Sequence, residues 1–369
     1  MLLFASFFAV FFLICAGLLG RLLVRRRPHA TSARPKVSIL VPARNEAHHI
    51  ERCLRSLAQL NYPVEQLEIL IGNDASTDNT AAVVQAFIAD KPQFRLVQIG
   101  GEVGRAKGKS NAIAQLTRHA TADYFLLTDA DMQLSPNWVQ YMLGAAEETV
   151  DGRSVGVVTG STVAHGNLFG RLQGLDWLFG LSVIRVLSDA GLPVTAVGNN
   201  MLVTRAAYDS IGGYETLAFQ ITEDLQLFAC IVNAGWGYRN LWHKHALGVS
   251  AAQPTVKALL EQRKRWMRGT TRLPWYLSGL FGLYGLFYMV LFFPPWVAWP
   301  LTPLIFGAKM LLQTLYLWIS LRQVGRRESW PVLLLYEFYL AGMSLLVLGY
   351  TLLPGQIRWK ERRYAWAEV

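Results

Sequence analysis

Apolar residues follow three different patterns along the chain. Leu2 to Gly20 is an uncharged run long enough to cross a bilayer. From Leu273 to Leu353 apolar character returns, with breaks at Pro294-Pro295, Pro300, Pro303 and the basic loop Arg322 to Arg327, which is enough for about three further membrane segments. Between these regions short β-rich runs alternate with helical spacing. Val37–Val41, Leu67–Ile71, Phe94–Ile99, Tyr124–Thr128, Val155–Val163 and Ala196–Val203 read as strands. Ile50, Cys53, Leu54 and Leu57 recur at helical spacing, and Thr80–Ala89 and Leu225–Asn233 also read as helices. Such alternation predicts an α/β domain with a mainly parallel sheet covered on both faces. Ligands bind such sheets beyond the carboxyl ends of the strands, so Pro42–Glu46, Asn73–Asp78 and Asp129–Asp131 should line one rim. The predicted organisation is an N-terminal transmembrane anchor (1–21), one cytosolic domain (34–272), C-terminal membrane segments (273–353) and a basic tail (354–369).

Charge sharpens the membrane reading. Arg21, Arg25, Arg26 and Arg27 follow the first apolar run rather than precede it, which predicts a signal anchor with everything after it in the cytosol. If all three later segments crossed, Arg358, Lys360, Arg362 and Arg363 would lie outside, against the charge rule. That conflict disappears if Trp330–Leu353, which carries Glu337, is re-entrant or interfacial. The chain is 52% hydrophobic with a net charge of +10, and most of the excess lies beside membrane segments. Membrane lipids with anionic head groups are therefore the expected partner, and nucleic acid is not. Cys15, Cys53 and Cys230 sit far apart in apolar surroundings, so reduced residues are expected rather than a disulfide or zinc framework.

The chemistry gathers in a few short segments. Asp129-Ala130-Asp131 ends a strand, where residues two apart project to the same side; converging carboxylates suit a hard divalent cation, although an isolated pair of this kind is more often a turn. Gly104 to Asn111 joins small residues to three cations before a helix, as a diphosphate site or a solvated basic loop would. Thr222-Glu223-Asp224 opens a helix, where Thr222 as N-cap and acids against the helix dipole explain the residue types; a general base is the functional alternative. Gln262, Arg265 and Trp266 share one helical face, readable as an interfacial anchor or as a phosphate and sugar contact.

Together these segments resemble the family 2 glycosyltransferases, membrane-bound enzymes with the GT-A nucleotide-sugar-binding fold. The resemblance runs from about Lys36 to Gly269. It rests on Val41-Pro42-Ala43-Arg44-Asn45-Glu46, Asn73-Asp74-Ala75-Ser76, Asp129-Ala130-Asp131, Thr222-Glu223-Asp224 and Gln262-x-x-Arg265-Trp266, each common alone but here in the family's order. It implies that Pro42, Glu46 and Asp74 contact the nucleoside and that Lys109 lies near the diphosphate. Asp129 and Asp131 would bind the nucleotide and a Mg²⁺ or Mn²⁺ ion, with Asp131 the more direct ligand. Asp224 would be the catalytic base, and Gln262, Arg265 and Trp266 would hold the diphosphate and acceptor. Gly198, Asn199, Asn200 and Glu223 would lie on the acceptor side. Asn73 departs from the family, many members of which carry a second acid there. The implied reaction is inverting, metal-dependent transfer from a UDP- or GDP-sugar to a lipid or glycan acceptor, by an integral protein of the bacterial inner membrane. Single transfer to a lipid-linked acceptor is expected, with a processive polysaccharide synthase as the alternative. A sugar nucleotidyltransferase leaves Gln262-x-x-Arg265-Trp266 and the membrane segments unexplained. An inactive scaffold predicts loss of one of the acids Asp74, Asp129, Asp131 or Asp224, all of which are present.

Overall fold

The computed structural model describes residues 2–24, 26–269, 272–292, 301–353, 357–360 and 362–364. The central unit is an α/β domain. Its strands are β1 (Val37–Ala43), β2 (Leu67–Asn73), β3 (Phe94–Gln98), β4 (Tyr124–Thr128), β5 (Thr149–Val150), β6 (Arg153–Thr159), β7 (Ser161–His165), β8 (Asn200–Thr204), β9 (Gly237–Asn240) and β10 (Leu247–Ala251). A tail hairpin adds β11 (Ile357–Trp359) and β12 (Arg362–Tyr364). The helices are α1 (Leu2–Leu23), α2 (Ile50–Ala58), α3 (Thr80–Ile88), α4 (Gly108–His119), α5 (Trp138–Ala146), α6 (Leu168–Asp189), α7 (Arg205–Ser210), α8 (Gly213–Thr216), α9 (Glu223–Asn233), α10 (Val256–Gly269), α11 (Trp275–Phe292), α12 (Leu301–Gln323) and α13 (Trp330–Leu352).

The main sheet runs β3-β2-β1-β4-β8-β6-β5, with β9 beside β6. β3, β2, β1 and β4 are mutually parallel, β8 is antiparallel to β4 and β6, and β9 is parallel to β6. The inner strands are apolar on both faces because both faces are covered. Val37, Ile39 and Val41 pack with Ile50, Cys53, Leu54 and Leu57 of α2. Leu40, Leu70 and Leu127 pack on the opposite side with Ala112, Ile113 and Leu116 of α4 and Leu227, Phe228 and Ile231 of α9. Strand order reverses between β1 and β4, and at such a switch point a crevice opens beyond the carboxyl ends. Pro42 lies at the end of β1 and Glu46 just beyond it, while Asp129 and Asp131 follow β4.

Two strand expectations change. Val155–Val163 is not continuous: Gly160 breaks it, and β7 leaves the main sheet to pair with β10. A Cβ at Gly160 would lie 2.4 Å from Asn200 Oδ1 and 2.5 Å from the Ala246 carbonyl oxygen, so the backbone passes where no side chain fits. The run Ala196–Val203 becomes strand only from Asn200, and it is the reversed strand.

Four helices are long and apolar enough to cross a membrane, over Phe4–Leu23, Trp275–Phe292, Leu301–Gln323 and Trp330–Leu352. Pro303 lies in the first turn of α12, where the missing N–H costs nothing, so it is not a break. Pro294-Pro295 and Pro300 lie outside the described residues. Both ends of α13 contact the globular domain. Arg171 of α6 donates to Glu328 at 3.0 Å and to Ser329 at 3.3 Å beside one end, and Lys264 of α10 donates to the Leu353 carbonyl at 2.7 Å at the other. The tail then returns to the rim of the main sheet. Lys360 and Arg362, expected to face lipid head groups, instead pair with Glu46 and Asp74. The three cysteines are free, as expected.

Candidate active site

The site is built on the two turns at the switch point. After β1 and β2 the chain closes the rim through local side-chain bonds: Asn45 Oδ1 accepts from the Thr77 amide at 2.8 Å, Ser76 Oγ from the Asn45 amide at 3.1 Å, and Thr80 Oγ1 from the Glu46 amide at 2.8 Å. Ala75 is held at φ +49°, a conformation that costs a β-carbon-bearing residue about 1 kcal/mol or more. Glu46 and Asp74 are thereby fixed at the crevice edge. Asn73 turns away; its side chain bonds Gln98 of β3 and the Ser76 amide.

After β4, the Asp129–Asp131 turn is clamped from two sides. Arg52 of α2 donates to the Asp131 carbonyl, and Gln133 and Val249 exchange backbone bonds of 2.8 Å that tie the turn to β10. Ser250 of β10 donates to Asp131 Oδ2 at 2.9 Å. Burial, and then the nearby negative charge of Asp129, push the Asp131 carboxyl above the usual carboxylate range. Lys109 answers this charge, lying 2.7 Å from Asp129 and 3.1 Å from Glu223, and so bridges two segments far apart in sequence. Its burial disfavours the cation, but the attraction of Asp129, Glu223 and Asp224 outweighs that and raises its pKa. Glu223 is raised by burial against the pull of Lys109. Burial moves Glu46 up to about 7, although Lys360 opposes the shift.

Asp224 sits in the first turn of α9 with both oxygens oriented. Oδ2 accepts from the Gly198 amide at 2.9 Å and Oδ1 from the Leu225 amide at 2.9 Å. Gly198 belongs there because a Cβ would lie 3.0 Å from Asp224 Cβ. Thr222 holds the N-cap position without a side-chain capping bond and packs instead where a Cβ on Gly269 would fall, joining the start of α9 to the end of α10. Gln262, Arg265 and Trp266 line the same cavity from α10, and the Gln262 Oε1 atom is buried without a hydrogen-bond partner among the described residues. Trp266 meets Trp177 edge to face at 4.9 Å, and Arg263, paired with Asp176 at 2.6 Å, lies 4.4 Å over its ring. One face of the indole is thus already covered.

The structure brings together Pro42, Glu46, Asp74, Lys109, Asp129, Asp131, Gly198, Asn199, Glu223, Asp224, Gln262, Arg265 and Trp266 around one cavity of about 710 Å³. Asn200 is separated from the others. It is fully buried, accepts from Trp138 Nε1 at 2.8 Å, and donates to the Ser161 and Ala246 carbonyls at 2.7 and 2.9 Å. It pins β8 to its neighbours, and with both amide protons used and the side chain fully buried it does not reach the cavity. Ser250, Trp177, Lys360 and Arg362 also line or enter the site and carried no sequence signal beyond residue type. Away from the acids the cavity becomes apolar, with Leu181, Ile184, Leu277, Phe281 and Val347 in its wall.

Among the described residues no group of three or more His, Cys, Asp or Glu side chains forms a metal cage. Asp129 and Asp131 fit the other way of holding Mg²⁺ or Mn²⁺, in which one or two carboxylates share the ion with a ligand's phosphates.

Residues 1–368 match the glycosyl transferase family 21 model. The chain is 29% identical over 241 residues to a probable glycosyltransferase of Bacillus subtilis, covering 64% of this chain and 55% of that protein. It is also 29% identical over 241 residues to a poly-beta-1,6-N-acetyl-D-glucosamine synthase of Staphylococcus epidermidis, covering 63% of this chain and 54% of that one. The chain therefore spans about half the length of these curated relatives. A solved structure of a mannosyltransferase from Pyrobaculum calidifontis, in complex with GDP-Man and Mn²⁺, has a similar fold at TM-score 0.54 and 19% identity, covering 94% of this chain and 93% of that one. The matched family is 21, where the sequence motifs resemble family 2; both are glycosyltransferase families, and the GT-A-like fold agrees.

Proposed function

Because the chain belongs to glycosyl transferase family 21, as the match over residues 1–368 shows, we propose that it transfers a sugar with inversion from a nucleoside-diphosphate sugar to a lipid-linked or membrane-associated acceptor. The observation that carries this reading is the single cavity joining Glu46, Asp74, Asp129 and Asp131 to Asp224 and then to the apolar wall of Leu277, Phe281 and Val347. A polar donor fits one end and a hydrocarbon-bearing acceptor the other. With α13 touching the globular domain at both ends, we place it along the membrane interface, where its Val347 forms part of the acceptor entrance.

In this mechanism Glu46 and Asp74 hold the nucleoside. Asp224, aimed by the Gly198 and Leu225 amides, takes the proton of the acceptor hydroxyl as that oxygen attacks the anomeric carbon. Lys109 and Arg265 stabilise the negative charge that develops on the departing diphosphate. The buried, unpartnered Oε1 of Gln262 accepts from a hydroxyl of donor or acceptor. Mg²⁺ or Mn²⁺ held by Asp129 and Asp131 would supply charge neutralisation at the same phosphates. The Pyrobaculum neighbour's GDP-Man and Mn²⁺ support this choice of ligands.

The relative named as a polysaccharide synthase favours a second reading, processive extension of a glycan. Membranes containing the protein, incubated with radiolabelled UDP- and GDP-sugars and extracted into organic solvent, separate the two. Label in a single lipid-soluble product is expected; a ladder of water-soluble chains would replace this reading with the second.

A further inference from the structure

The tail hairpin comes back across some three hundred residues of sequence to the acids at the nucleoside end of the cavity. Arg362 engages both carboxylate oxygens of Asp74, at 2.7 and 2.9 Å, and Lys360 reaches Glu46 at 2.5 Å. The rim also holds the tail by its backbone: Arg44 donates to the Lys360 carbonyl at 3.2 Å while its Nη1 fastens the Asp74 and Ala75 carbonyls at 2.6 and 3.0 Å. Lys264 secures the chain where it leaves α13.

We propose that this hairpin is a tethered competitor of the donor, with Lys360 and Arg362 occupying the acids that the nucleoside needs and withdrawing before a nucleoside diphosphate binds. The inference rests on the donor-site reading given above. It follows from position: Arg362 engages both Asp74 oxygens and Lys360 lines the cavity beside Glu46, so a base or ribose group that approaches these acids must share or displace bonds the tail already makes. The contact is also built to be reversible. The Lys360 and Arg362 side chains remain about one-third exposed, at 30% and 32%, so water can replace their partners at moderate cost, whereas Asp74 is buried and Glu46 nearly so, and both stay in place. A tail that only stabilised the fold would not affect donor affinity. A competitor lowers apparent affinity by the fraction of molecules in which it has withdrawn, so a hairpin seated about nine-tenths of the time weakens donor binding about tenfold.

Calorimetric titration of the detergent-solubilised full chain with Mn²⁺ plus UDP or GDP tests this. The Lys360→Ala/Arg362→Ala variant should bind the nucleotide about five- to tenfold more tightly than wild type. A synthetic peptide of residues 357–364, added to that variant, should reverse the gain competitively. Lys360→Gln and Arg362→Gln, tested singly, should each give an intermediate gain and keep the test open if the double variant folds poorly. Unchanged or weaker affinity in these variants overturns the proposal, weaker affinity by making the two residues part of the donor grip. Failure of the wild type and every variant to bind nucleotide overturns the donor-site reading itself, and the competitor with it.

Discussion

The Gly198 amide donates to Asp224 Oδ2 at 2.9 Å, and a β-carbon at Gly198 would stand 3.0 Å from Asp224 Cβ. The loop before β8 therefore aims the carboxylate, and nothing larger than glycine allows that approach without moving it. Gly198→Ala should lower kcat by about tenfold, because the added methyl group pushes Asp224 by a few tenths of an ångström, a fraction of the roughly 1 Å misplacement that costs about 100-fold. KM for the donor should change little. Parallel loss of donor affinity would show instead that the loop supports the nucleotide end.

Asp131 is oriented by Ser250 and crowded by Asp129. Asp131→Ala should abolish metal-stimulated nucleotide binding, and Ser250→Ala should weaken it more mildly, since it removes one hydrogen bond and no ligand. Titration with Mn²⁺ and nucleotide after chelator treatment checks both. Mn²⁺-dependent affinity unchanged in Asp131→Ala would remove the pair from the metal site.

Between the apolar helices, Lys309 contacts both oxygens of Glu337 at 2.5 and 2.6 Å, with Tyr288 and Gln313 completing its shell at 2.7 and 2.9 Å. Both charged side chains are almost fully buried, so removing one strands the other. Glu337→Leu should cost about 3–5 kcal/mol, whereas the paired change Lys309→Met/Glu337→Leu should recover most of it. Thermal unfolding in detergent distinguishes the two. Equal destabilisation by the single and double variants would mean that shape, not charge pairing, matters there.

Glu46 is shifted by burial to about 7 from an ordinary 4.5, with Lys360 opposing the shift. A carboxyl raised on folding stabilises the fold while protonated. Its contribution is complete below about pH 4.5 and is lost as pH rises through about 7, amounting to roughly 3 kcal/mol at most. Wild type should therefore lose more stability than Glu46→Gln between pH 5 and pH 8, read as the difference between their melting temperatures. Parallel curves would show that Glu46 stays ionised throughout.

The parallel half of the fold was legible because its strands are buried on both faces and its helices are amphipathic: Val37–Val41 and the Ile50, Cys53, Leu54, Leu57 stripe leave little choice. β7 was not, since its separation from β6 depends on Gly160 passing beside Asn200 and Ala246, a contact distant in sequence. α6 carries no clear stripe because its apolar residues face several partners at once, Leu175 and Leu178 toward α12 and α13 and Val183 and Val186 toward α1 and α11. The acids and the α10 face were readable from residue type and order. Asn200 was expected on the acceptor side because the resemblance carries Gly198-Asn199-Asn200 over together, and only the packing against Trp138 shows that its amide is used internally. Lys360 and Arg362 belonged by composition to a basic membrane tail; their pairing with Glu46 and Asp74 joins positions some three hundred residues apart, which residue type does not reveal.

The account turns on Asp224 acting as base at a site that binds the donor independently of it. Side-by-side measurement of sugar transfer and of Mn²⁺-dependent nucleotide binding in wild type and Asp224→Asn addresses this directly. Transfer should fall by about a hundredfold or more while nucleotide affinity stays within a fewfold of wild type, since general-base assistance contributes on that scale. Near-normal turnover by Asp224→Asn would contradict it.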